Sequence, residues 1–345
     1  MKLKLILASG LVFFAGPALA AGSGAAAPAT SQYNVVPLVS DQAGVAPNTD
    51  PDLVNAWGIS AAPGEGLWIS DNGTGLSTVY DPVTGTKELS VTILEGVPTG
   101  NVYNSTSGFV ISEGDNKGPA QFLFDSESGF ITGWNFDVDV SNAVVAVDNS
   151  KKNSVYKGLA IDIADGLLFA ADFHNNEIQV FNNKFKQVNA FTDKSLPKHF
   201  APFNVAFING QLYVAFAKRE KGGDDEIAKK GLGYVDVFDT KGKLVKHLIA
   251  NKPLDAPWAM LIAPSGFGSF AGDLLVGNFG NGVVNVFDPS TGDFLGALEG
   301  TDGKTLKIDG LWGLFAGPGS KVTFAAGPDD ESHGLLGDIE VAGGR

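Results

Sequence analysis

The sequence predicts an all-β chain folded as a six-bladed β-propeller of four-stranded blades, with the ring closed by the N-terminal strand. Three observations carry this. A unit of about 50 residues recurs; glycine is 45 of the 345 residues; and an apolar strand near the start has no partner in its own neighbourhood.

The unit opens on an apolar strand with a Trp-Gly or similar pair and turns at Gly or Pro. A second strand then runs into a polar loop, and a third ends on an aromatic-Asp pair. The first copy reads Ala56-Trp57-Gly58-Ile59, Leu67-Trp68-Ile69-Ser70-Asp71-Asn72-Gly73 and Ser77-Thr78-Val79-Tyr80-Asp81. Later openings are Lys157-Gly158-Leu159, Ala201-Pro202-Phe203-Asn204, Ala256-Pro257-Trp258-Ala259 and Gly310-Leu311-Trp312-Gly313, with a weaker copy placed at Gly108-Phe109-Val110. Gly58, Gly108, Gly158, Asn204, Ala259 and Gly313 are thus spaced by 50, 50, 46, 55 and 54 residues. Runs such as Lys87–Ile93 read as fourth strands. The last unit ends after its third strand, so Tyr33 to Val39 is expected to supply the missing outer strand. The glycine excess follows from turns that need positive φ or close backbone approach.

Ahead of the repeats, Lys2 and Lys4 precede an apolar run from Leu5 to Phe14 and a small-residue site at Ala18-Leu19-Ala20. This predicts a signal peptide over residues 1–20, a flexible leader over 21–32 and a single propeller domain over 33–345. The run is shorter than the ~20 residues a bilayer span needs. The expectation is a secreted or periplasmic protein, cleaved near Ala20, with no transmembrane segment in the mature chain. The absence of Cys removes disulfide and thiolate chemistry. A formal charge of −14 argues against a nucleic-acid binder, which needs a basic face.

In a four-stranded meander, the approach to the first strand and the loop between the second and third lie on one face. That face gathers the candidate ligand contacts Trp57, Asp71, Asn72, Lys157, Asp172, His174, Asn204, Trp258, Asn278, Trp312, Asp329 and His333. His174, His333 and Lys157 are the candidates for catalysis, the histidines for proton transfer. Asp172, Asn204 and Asn278 are candidate ligands of a divalent cation, Ca²⁺ ahead of Zn²⁺, because the set is rich in oxygen and no HExxH motif is present. Each has a structural alternative: Asx turns at strand ends, histidines bonded within their own loops, and indoles packed between blades. Lys157 stands where other units carry an aromatic and needs a partner or a ligand anion. His247 reads as surface on an outer strand. The charged, Gly-rich run from Lys218 to Gly233 reads equally as a lid or a solvated loop. No G-x-S-x-G, P-loop or dinucleotide motif occurs.

The motifs Val54-Asn55-Ala56-Trp57-Gly58, Asp71-Asn72-Gly73-Thr74-Gly75, Ala171-Asp172-Phe173-His174-Asn175, Gly277-Asn278-Phe279-Gly280 and Ala326-Gly327-Pro328-Asp329-Asp330-Glu331 together resemble a family of secreted bacterial six-bladed β-propellers. Some members of that family end in a PEP-CTERM sorting tag, which Val341 to Arg345 lacks. More distantly the chain is similar to NHL-type and lactonase-type propellers, whose metal sites sit in the central pocket. The resemblance implies fold and export and supplies no catalytic residues. The expected function is an exported propeller that binds a small ligand, glycan or protein on its central face. The alternatives are a metal-assisted hydrolase or lyase and a structural extracellular protein.

Overall fold

The computed structural model describes residues 30–343. The expected signal peptide and nearly all of the expected leader lie outside the described residues. Strand β1 (Gln32–Ser40) and the short β2 (Asn48–Thr49) lead into a meander of β3 (Ala56–Ser60), β4 (Leu67–Asp71), β5 (Leu76–Tyr80) and β6 (Lys87–Ile93). Next come β7 (Pro98–Tyr103), a hairpin of β8 (Val110–Glu113) and β9 (Asn116–Pro119), then β10 (Phe122–Ser126), β11 (Phe130–Trp134) and β12 (Asn142–Asp148). Three four-stranded sheets follow: β13 (Tyr156–Asp162), β14 (Leu167–Asp172), β15 (Glu177–Asn182) and β16 (Gln187–Phe191); β17 (Phe200–Ile208), β18 (Gln211–Lys218), β19 (Gly233–Phe238) and β20 (Leu244–Ala250); β21 (Pro257–Ile262), β22 (Leu274–Asn278), β23 (Val284–Phe287) and β24 (Phe294–Ala297). The two-residue β25 (Glu299–Gly300) precedes β26 (Leu311–Ala316), β27 (Val322–Ala326) and β28 (Leu335–Val341).

Strand β1 pairs antiparallel with β28, from Tyr33 opposite Val341 to Ser40 opposite Leu335, so the last sheet combines both ends of the described chain. Outer strands β6 and β12 pair in parallel, Asn142 opposite Thr92, and fuse two meanders into one eight-stranded sheet. The opening strands touch in succession: β3 on β7, β7 on β13, β13 on β17, β17 on β21, β21 on β26, and β26 on β3. Second strands such as β4 are buried throughout, whereas β6 is largely exposed over its first half. That gradient is expected where sheets stack face to face and only their outer edges meet water. Among the described residues no helix is long and apolar enough to cross a membrane.

The pairing of opening strands with second strands slips at Trp57-Gly58, Lys157-Gly158, Phe203, Trp258 and Trp312-Gly313. A bulge of this kind re-aims the extra side chain. Glycine beside it has a steric cause. A Cβ on Gly58 would lie 2.7 Å from the Thr99 carbonyl oxygen and 2.9 Å from the Asn101 nitrogen.

One placement differs from the sequence reading. Gly108 is not an opening position; it lies on the approach to the β8–β9 hairpin. The opening strand there is β7, whose Thr99-Gly100 packs against Gly58 and Gly158. The spacings become 42 and 58 rather than 50 and 50. The hairpin misleads because Phe109 and Ile111 are buried apolar residues in a strand-like run, while β7 carries a threonine where its counterparts carry an aromatic or lysine.

Gly58→Ala is expected to cost about 1–3 kcal/mol, since the clash is with backbone that has no rotamer to give. Calorimetric melting should show the lowered Tm, and an unchanged Tm would contradict the packing described.

Candidate functional site

The bulges deliver their side chains to one opening. Trp57 and Trp312 stack with ring centroids 3.4 Å apart, and Phe279 stacks on the other face of Trp312 at 3.9 Å. Trp258 meets Trp57 and Trp312 edge-on at 6.0 and 5.9 Å. Phe173 and Phe203 complete a single buried apolar cluster. The indoles therefore pack against one another across the opening.

Lys157 is the exception in this ring, and it is 2% exposed. Its Nζ forms an ion pair with Glu127 and lies 5.3 Å from the Trp57 ring centroid. Burial alone would pull its pKa down; the Glu127 carboxylate, aided by Glu226, holds it above the ordinary lysine value. A cavity of about 160 Å³ surrounds the pair, walled by Trp57, Trp312 and the carboxylates of Glu127, Asp225, Glu226 and Glu331. Burial pushes the Glu226 carboxyl up to about 7, against the opposing pull of Lys157. Burial likewise raises Glu331, although Asn55 donates to it.

A hydrogen-bond chain fixes the floor of the cavity. Trp312 Nε1 donates to Asn55 Oδ1 at 3.1 Å. Asn55 Nδ2 donates to Asn72 Oδ1 and to Glu331 Oε1, each at 3.1 Å, and Asn72 Nδ2 donates to Glu127 Oε2 at 2.8 Å. Asn55 holds a left-handed φ of 49°, which Asn tolerates better than most residues. Trp258 Nε1 donates to the Lys157 carbonyl at 2.8 Å. Trp57 Nε1 is buried without a partner.

Of the residues predicted from sequence, Trp57, Asn72, Lys157 and Trp312 meet at the cavity, and Trp258 joins the aromatic cluster beside it. The others are held locally. Asp71 is buried and accepts from the Thr78 amide at 2.9 Å. Asp172 accepts from the Asn175 amide and from Asn175 and Gln179 side chains. Asn204 donates to the Trp258 carbonyl and accepts from Val205. Asn278 accepts from Asp255 and donates to Val283 and Asn285. Asp329 sits in a left-handed turn, its amide on Asp309. His174 and His333 bond to separate acids, Asp224 at 2.6 Å and Asp41 at 2.7 Å.

The Lys218 to Gly233 run turns acidic side chains inward. Arg219 Nη1 donates to the carbonyls of Phe173 and His174, anchoring the loop, and Asp225 and Glu226 reach the cavity from it. Glu127 is absent from the sequence candidates because its unit was misplaced. The available signal was position: Glu127 follows the end of β10 as Asn72 follows the end of β4.

No protein-family model matches the chain. It is 33% identical over 328 residues to uncharacterized protein R648 of Acanthamoeba polyphaga mimivirus, spanning 90% of this chain and 81% of that one. Uncharacterized protein L690 of the same virus is 32% identical over 328 residues, spanning 90% and 86%. These relatives are viral, whereas the motif resemblance pointed to bacterial proteins. Among solved structures, a streptogramin B lyase superimposes with a TM-score of 0.54 at 9% identity, covering 90% of this chain and 98% of that chain. That likeness, with the all-β sheets, establishes a propeller-type fold.

Because folding raises the Glu226 pKa to about 7, the native state holds its proton where the unfolded chain does not. Stability associated with this group is therefore lost as pH rises from about 4.5 through about 7. Glu226→Gln should melt higher than the parent at pH 8 and gain nothing at pH 4; parallel Tm–pH curves would refute this.

Proposed function

We propose, from the premise that the chain belongs to the same family as mimivirus proteins R648 and L690, that it is an exported six-bladed propeller that binds a small organic cation around Lys157. The succession of touching opening strands supports six blades, and the β1–β28 pairing supports closure by the N-terminal strand. The residues 1–20 pattern supports export.

The observation that carries the reading is charge balance. Lys157 is ion-paired with Glu127, and among the described residues Asp225, Glu226 and Glu331 around the same cavity have no ion pair of their own, so one lysine faces four carboxylates. Clustered, partly desolvated carboxylates are costly unless countercharged. A primary amine or guanidinium supplies that charge and donates to several carboxylate oxygens. The unpartnered Trp57 Nε1–H offers a donor to an acceptor oxygen on the same ligand. The cavity's size favours a small molecule over a glycan chain or a protein. The metal-assisted hydrolase or lyase reading draws less support, because Asp172, Asn204 and Asn278 spend their polar atoms on protein partners.

Calorimetric titration with ethanolamine and with methylguanidinium tests the proposal. Binding should strengthen from pH 5 to pH 8 as Glu226 ionises, and weaken about tenfold, or about 1.4 kcal/mol, in Glu331→Gln. Absence of binding by both cations at pH 8 would remove the reading.

A further inference from the structure

We propose a second site, beyond the cavity: a transition-metal centre at the outer rim formed by Asp193, Asp236 and His247. Asp236 on β19 and His247 on β20 are direct cross-strand neighbours. Asp193 arrives from the connection after β16, in the adjacent sheet. His247 Nδ1 lies 3.1 Å from Asp236 Oδ1 and 3.3 Å from Asp193 Oδ2. One donor atom from each of the three residues falls within 4.8 Å of the others. A tetrahedral zinc centre with bonds of about 2.0–2.2 Å holds its donors about 3.3–3.6 Å apart, so the present spacing needs little adjustment.

The second line of support is an unmet demand for charge. The Asp236 and Asp193 side chains are 1% and 4% exposed. Among the described residues Asp236 Oδ2 is buried with no hydrogen-bond partner. Among the described residues neither acid has a Lys or Arg ion pair; the imidazole is the one basic side chain that contacts them. Asp193 is oriented by the Ser195 amide at 2.8 Å and hydroxyl at 3.0 Å, an outer contact of the kind that positions metal ligands. A dication countercharges the two buried carboxylates. Imidazole with two carboxylates suits Zn²⁺ and its first-row neighbours, whereas Ca²⁺ and Mg²⁺ favour oxygen alone. His247 is half-exposed, which leaves a path for entry. Bound there, the metal would tie β20 to the preceding sheet.

The test uses the full chain, stripped with chelator and titrated with Zn²⁺ at pH 7.5, with Co²⁺ as spectroscopic probe. One equivalent of Zn²⁺ should bind and raise Tm, Co²⁺ should show the visible bands of low-coordinate nitrogen–oxygen ligation, and excess Ca²⁺ or Mg²⁺ should not compete. His247→Ala, at an exposed position that leaves the core intact, should weaken binding about a hundredfold and abolish the Tm gain. Glu331→Gln, at the central cavity, should leave both unchanged. No uptake of Zn²⁺ or Co²⁺ by the parent would overturn the proposal. So would binding that persists in His247→Ala, or that disappears in Glu331→Gln.

Discussion

The close approach of the opening strands governs this molecule. At Gly58 the backbone of the next meander stands where a Cβ would be, and at Gly100 the Asp125 carboxylate lies 3.0 Å from the same position. Strands so crowded about one axis leave little room for side chains where they approach most closely. The bulges resolve the conflict by sending one large residue from each affected strand toward the end of the axis. The three indoles, Phe203 and the buried Lys157 are products of the same constraint, because all occupy bulge positions.

The opening is filled unevenly, and the unevenness makes the site. Trp258, Trp312, Phe203, Phe173 and Phe279 fill it with apolar surface on one side. On the other, Asn72, Glu127 and Lys157 are too polar to close the gap without water or ligand, and the cavity lies there. The aromatic side also lowers the local dielectric around Lys157, which strengthens its attraction to Glu127 and sharpens the cost of every unmatched carboxylate nearby.

Much of this architecture was legible in the residues. Trp57-Gly58 and Trp312-Gly313 announce opening strands because a large bulged residue followed by a small one suits a strand pressed against its neighbour. The common face was legible for a topological reason: alternate turns of a meander lie together. Asp172, Asn204 and Asn278 looked like ligands because strand-end oxygens serve Asx turns and metals alike, and only three-dimensional partners distinguish the two. Glu127 and the Asp193–Asp236–His247 group were hidden differently. The first lay behind an inserted hairpin that shifted the repeat. The second joins residues from two sheets whose proximity no local pattern records.

The parallel seam between β6 and β12 separates the first two meanders from the rest. Elsewhere adjacent sheets are joined by isolated backbone contacts, such as the Phe109 amide on the Asn183 carbonyl, while the outer strands β16, β20 and β24 pair with no neighbouring sheet. Across the seam, fraying of either outer edge strips the other of its hydrogen bonds. That third of the molecule is accordingly expected to open as one cooperative unit, an anchor against which the remaining sheets breathe.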